Sequence, residues 1–519
     1  MKILFVSSLW FVWIGSAFGA RAREGLACLE VGDLRCATEV RDEALRTGDA
    51  SEAAQVLQLR TLFREGRFQE AVSVLEALER SGLESAQRET NPYRGSALAS
   101  RGMVEAKQDG VRVRYANGIE SILRDEALDV MARSRSTYDA LFGGGPDHDV
   151  LLDIFPTAYR FTQASGLPPE AVRTTGVVAL SKWSRLLISS PRSKARGYGW
   201  KDTVAHEYIH LVVSWRSADR TPVWLQEGLA KLLESRWRTG ENSALTVHQQ
   251  SLLRTALETD GFVPFEKFKF SMAYLDSGDE AALAFAQVAT LVQHIVEREG
   301  MGVLPTAMDR IRDGEAAETV MASLGGYPDF ESLMAGWKRW LGMQTLTNAS
   351  VASLPVVLDA DADDFEADPL LAMDASKMRA ARLGELLLER DRPLAALIEF
   401  RKAAEGDGPA SPLLLAREAQ CLEKLGRMKE ALAVSANGVD LYPEFTPLLK
   451  TRGALFDRLG NPSEAAKAWA EAHELNPFDA AVQQALIANY AALGRPKAAE
   501  RHRAILHTLQ TGGAAEVAR

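Results

Sequence analysis

The sequence predicts a multidomain protein of the α/β plus α class: a small mixed sheet with a helical half, preceded by helical hairpins and followed by an α-solenoid. Three observations lead there. The 519 residues exceed what one core normally holds, about 250 to 300 residues. Apolar residues recur at helical spacing up to about position 107, give way to short β-prone runs from Val111, and return to helical spacing after the stretch "HEYIH" at 206–210. Finally, glycine and proline recur at a fixed interval near the C-terminus. An apolar share of 46% with 25% charged residues is that of an ordinary folded protein, and the formal charge of −10 argues against nucleic acid as a partner.

Residues 1–22 read as a signal peptide, with one lysine, an apolar run, and small residues at Ala17 and Gly19 or at Ala20 and Ala22 for cleavage. A retained anchor is the alternative, since the apolar run approaches spanning length. No other membrane span is expected. Export places the chain in the periplasm or cell envelope, or secretes it. In that oxidising setting Cys28 and Cys36 are expected to pair across the turn "EVGDLR", with two buried thiols as the alternative. Cys421 lies on an apolar helical face and reads as core.

Residues 23–108 read as helical hairpins, with Gly48 and Gly66 as punctuation and "GRFQEAVSVLEALER" as a typical amphipathic run. The unit 109–345 begins with strands at "VRVRYA" and "DVLLDIF" around the helix "ESILRDEALDVMARSRSTYDALFG". Strands at "TTGVVALS" and "SRLLISSP" follow, and from "HEYIH" onward the unit is mostly helical. Residues 346–373 contain "DADADDFEADP" and read as an acidic linker. Its aspartates imitate the start of a calcium loop, but Asp364 and Leu370 stand where that loop needs glycine and glutamate. In 374–510, Gly426, Gly460 and Gly494 are 34 residues apart, as are Pro409, Pro443 and Pro477. With "GRMKEA", "GNPSEA" and "GRPKAA" in register, this part resembles the tetratricopeptide repeat family, and the hairpins of 23–108 resemble it more weakly. Residues 511–519 are a tail.

The chemistry concentrates at "HEYIH". Helical positions i and i+4 share a face, so His206 and His210 can direct both imidazoles at one metal ion, with Glu207 beside them as general base. Only 8 histidines occur in the chain, and an accidental H-E-x-x-H is about a one-in-a-hundred event. Zinc held by two histidines wants a third protein ligand and an open position. Glu227, in "PVWLQEGLAKLLE", can supply it from a second helix begun by Thr221 and Pro222. Gly228 and Ala230 would let the two helices approach. Glu234, two turns on, can accept a hydrogen bond from a ligand histidine and fix its tautomer. The predicted cofactor is one Zn2+.

Together the two segments resemble the gluzincin metallopeptidases, particularly the peptidase-MA-like domains related to the M1 aminopeptidases, whose second motif is W-L-x-E-G. The resemblance implies a zincin-like fold, zinc ligation by His206, His210 and Glu227, catalysis by Glu207, and an outer carboxylate at Glu234. Two departures matter. The strand region "GVVALSKWSRLLISSP" lacks the acid of the aminopeptidase G-x-M-E-N segment, which favours endopeptidase over aminopeptidase action. Phe285 stands where the family carries a tyrosine that stabilises the oxyanion, with Tyr274 and His294 as substitute donors. The expected function is hydrolysis of peptide bonds in exported or envelope proteins, with the repeat groove recruiting a protein substrate or partner. The competing expectation is a repeat scaffold with a non-catalytic zinc site.

Overall fold

The computed structural model describes residues 7–81, 90–169, 172, 176–272, 275–349, 351, 375–406 and 408–516. Its sheet has five strands in the order β1-β2-β3-β5-β4, comprising β1 (Met103–Gln108), β2 (Val111–Ala116), β3 (Val150–Phe155), β4 (Ala179–Lys182) and β5 (Arg185–Ser189). β2, β3 and β5 run parallel, while β1 and β4 add antiparallel edges. Every residue of β3, "VLLDIF", is buried, as a central strand covered on both faces requires. Strand β1 precedes the expected start of the α/β unit at 109. Its sequence "MVEAKQ" has no apolar alternation, and it forms because Asp109 and Gly110, both with positive φ, turn the chain tightly back onto β2.

The helix Arg124–Leu141 crosses from β2 to β3, and the helix Trp200–Arg216 lies against β4 and β5. The helical half then runs from Val223 to Leu341, with the long helix Gly278–Glu299 at its centre. One continuous core joins the sheet to this half, including Val113, Ile154, Tyr208, Trp224, Val292 and Trp337. The expected cap at Thr221 is not made: its hydroxyl turns to Met308 Sδ at 3.5 Å, and the helix Val223–Leu233 starts behind Pro222 without a side-chain cap.

Before the sheet, the helix Ser7–Glu30 continues past the expected processing sites and packs on the next two helices, with Ala22 and Leu29 buried. Cys28 and Cys36 are joined as a disulfide, their Cα atoms 5.9 Å apart. Among the described residues no helix is long and apolar enough to cross a membrane. The N-terminal helices are fastened to the sheet by buried charge. Asp153 on β3 accepts from Arg114 at 2.6 Å and from Arg185 at 2.8 Å, and the Arg185 guanidinium stacks on Phe68 and Phe63.

Residues 352–374, most of the expected acidic linker, lie outside the described residues; beyond them four helix pairs stack between Ala375 and Glu516, and Gly426, Gly460 and Gly494 end a helix in the left-handed conformation that glycine adopts without strain. Cys421 is buried in their core, and desolvation pushes its thiol up to about 12. This module is docked on the α/β unit. Tyr198 N donates to Leu475 O at 3.1 Å, Thr446 Oγ1 donates to Arg196 O at 2.6 Å, and Glu126 on the crossover helix meets His473 and Lys201, each at 2.9 Å, and Arg501.

Candidate metal centre

The helix Trp200–Arg216 carries "HEYIH" through its middle, with Val204, Ala205, Tyr208, Ile209 and Val212 buried against the core. That anchoring leaves His206 and His210 on the opposite face, their ring centroids 4.8 Å apart. The helix Val223–Leu233 crosses beneath them. Gly228 serves a different crossing from the expected one: it faces the long helix Gly278–Glu299, where a β-carbon would lie 2.8 Å from Val288 O, and not the helix that carries the histidines. Glu227, the residue before it, faces the two imidazoles.

The contacts have the pattern of a ligand set. Glu227 Oε2 lies 3.3 Å from His206 Nε2 and 3.5 Å from His210 Nε2, and the three donor atoms all fall within 4.8 Å of one another. Metal–ligand bonds of about 2.0 to 2.2 Å in tetrahedral geometry put neighbouring ligand atoms about 3.3 to 3.6 Å apart, so the two nitrogen-to-carboxylate separations match tetrahedral edges. The outer nitrogens are spoken for. His206 Nδ1 is 3.0 Å from Glu234 Oε2, and His210 Nδ1 is 3.2 Å from Gln226 Oε1. Gln226 Nε2 donates to Thr221 O at 3.1 Å, which orients the amide with its oxygen toward His210. In a neutral ring these partners favour the proton on Nδ1 and leave Nε2 as the atom facing Glu227, the tautomer a metal needs.

Electrostatics point the same way. Burial opposes a charge on His206, but Glu227 and Glu234 outweigh it and hold its pKa up at about 10. Burial likewise works against the Glu227 carboxylate, yet His210 and His206 keep it below the usual carboxylate range. A positive charge is thus strongly favoured at the point where the three residues meet. Glu234 is held in place by Lys231 Nζ at 2.5 Å. Glu207 is only 8% exposed. Desolvation raises its pKa, against the pull of the two histidines and a hydrogen bond from the Ser181 backbone on edge strand β4.

The structure therefore gathers His206, His210, Glu227, Glu207 and Glu234 in one recess. It does not bring His294 there, which is a correction to its expected role as an oxyanion donor. Its Nε2 is paired with Tyr327 Oη at 2.8 Å and its ring packs on Trp340, inside the helical half. Tyr274 lies outside the described residues. Phe285 is half-buried on the long helix. Sequence reasoning missed Gln226 and Lys231. The first is marked only by adjacency to Glu227, and the second by its i, i+3 spacing to Glu234.

A family model described as the peptidase MA superfamily matches residues 138–343. This stretch is a peptidase MA superfamily domain. It contains all five residues of the recess, the whole helical half, and the sheet from β3 onward. No curated protein sequence matches the chain. Similar solved structures include yeast LTA4 hydrolase, at 12% identity and a TM-score of 0.32, covering 79% of this chain and 66% of that one. Yeast Tom70 is similar at 13% identity and a TM-score of 0.22, covering 92% of this chain and 89% of that one. MamA is similar at 12% identity and a TM-score of 0.23, covering 29% of this chain and 86% of that one.

Proposed function

We propose that the protein is a zinc-dependent peptidase whose peptidase MA domain hydrolyses peptide bonds within exported or envelope proteins, while the repeat module recruits the substrate or a partner. The observation that carries this is the convergence of two imidazole Nε2 atoms and the Glu227 carboxylate at tetrahedral spacing, with a second, buried carboxyl, Glu207, beside them. His206, His210 and Glu227 would hold the ion. When bound, zinc supplies Lewis acidity that polarises a peptide carbonyl and acidifies water near neutral pH.

The protein's own groups do the rest. Glu207, desolvated and tethered by Ser181, takes the proton of the attacking water and returns it to the departing amine. Glu234 and Gln226 hold the imidazoles so that Nε2 stays inward. Strand β4 is the last in the sheet, so its outer edge can align an extended peptide by main-chain hydrogen bonds next to Glu207. Endopeptidase action is favoured because Ala179–Lys182 offers no carboxylate for a free amino terminus.

The second reading is a scaffold with a non-catalytic zinc site, and Phe285 favours it, because a phenyl ring cannot stabilise an oxyanion. Cleavage of an unbiased peptide library by the zinc-loaded chain separates the two. Under the peptidase reading the parent cuts, and Glu207→Gln retains its zinc while losing at least a hundredfold in rate. If both chains bind zinc and neither cuts, the scaffold reading replaces it.

A further inference from the structure

A cavity of about 270 Å³ lies at the C-terminal end of the helix Trp200–Arg216, beyond His210. Apolar Leu29, Pro146, Trp183, Leu211 and Trp215 line it together with the charged side chains of Glu30, Arg64, Lys182 and Asp219. Three links connect it to the recess. Leu211 directly follows His210. Ser214, on the wall one turn further, has its hydroxyl 3.5 Å from the Nε2 of Gln226, the residue that orients His210. Ser181, also on the wall, provides the backbone hydrogen bond to Glu207.

We infer that this cavity is a side-chain pocket of the proposed peptidase, built jointly by the peptidase domain and the N-terminal helices, and that it takes a large aromatic side chain of the substrate. Pockets for whole small molecules run from about 300 to 1,000 Å³, and this one is sized for a single large side chain. Trp215 and the aliphatic walls offer surface of the kind aromatic groups prefer, while the Trp183 ring is already engaged by Lys182 Nζ at 4.3 Å and by Phe63. The walls are held rigid. The turn Trp183–Ser184 keeps two non-glycine residues at positive φ, and the Trp183 ring is wedged edge-on against Phe63 of the N-terminal helices at 4.9 Å. The opposite rim, Leu29 to Gly32, lies within the loop closed by the Cys28–Cys36 disulfide. The N-terminal module is thus part of the binding site.

The inference rests on the peptidase reading for its occupant, so the test uses two readouts on the full zinc-loaded chain. The first compares kcat/KM for paired peptides differing only by Phe or Ala at each position flanking the cut bond. Phe is expected to be preferred by about tenfold or more at one fixed position, with that preference lost in Trp215→Ala and kept in Trp215→Phe. Equal treatment of the Phe and Ala peptides by the parent overturns the pocket while leaving the peptidase reading intact. If the parent cuts nothing, the peptidase reading fails, and calorimetry with N-acetyltryptophan amide decides the pocket. Saturable binding that Trp215→Ala abolishes retains it, and absence of binding to the parent overturns it.

Discussion

Each of the two histidines depends on a neighbour that never touches the metal position. Glu234 fixes His206 and Gln226 fixes His210, at 3.0 and 3.2 Å. Losing such a partner typically lowers metal affinity about 10- to 100-fold. Titration against a competing chelator is therefore expected to show Glu234→Ala and Gln226→Leu each binding zinc that much more weakly than the parent, with one ion still bound per chain. Unchanged affinity in both would mean that the tautomers are not set by these contacts. His206 and His210 could be placed together in the sequence because helical periodicity puts i and i+4 on one face; Glu207 was marked by its place beside them, and Glu227 and Glu234 by the second motif and its resemblance to the gluzincins. Gln226 was not, since its role depends on the path of the chain at Thr221, where the carbonyl takes the amide's NH2. His294 misled because an apolar helical face gives no sign of which neighbour a polar member will meet.

Helices and strands contribute through a few points of close contact. Gly228 is one: Gly228→Ala forces the second ligand helix away from Val288 and is expected to cost about 1 to 3 kcal/mol in denaturant unfolding, with zinc affinity falling because Glu227 moves with it. Arg185 is another, fully buried and shared between Asp153, Ser96 and the rings of Phe63 and Phe68. Arg185→Met leaves Asp153 with Arg114 alone, and a loss of about 3 to 5 kcal/mol is expected, with proteolysis of the N-terminal helices as an early sign. The central strands could be read from their apolar runs. Strand β1 could not, because it carries no run of large apolar residues and only the Asp109–Gly110 turn announces it.

Across the full chain, the repeat module is fastened to the α/β unit by a buried polar cluster. Glu126 meets His473, Lys201 and Arg501; Gln483 bridges His473 at 2.9 Å to His502 at 2.7 Å; and His502 stacks on Tyr490. Burial, with His473 and Arg501 nearby, lowers the His502 pKa to about 4. The unfolded chain binds that proton at about 6.5, so this contribution to stability is complete above about pH 6.5 and is lost as the pH falls toward 4. Thermal unfolding is expected to show a falling midpoint over that window, and His502→Gln is expected to flatten the fall. None of this was visible in the sequence, because Glu126 and His473 are far apart along the chain and no local pattern joins them. The 34-residue register announced the solenoid but not the surface it rests on.

The claim beneath the whole account is that His206, His210 and Glu227 hold a zinc ion. The most direct measurement is zinc bound per chain at equilibrium, for the parent and for Glu227→Ala, after the metal has been stripped and returned. One tightly bound zinc is expected in the parent, and a loss of at least a hundredfold in affinity in the variant. No zinc bound by a folded parent, or equal binding by both chains, would contradict it.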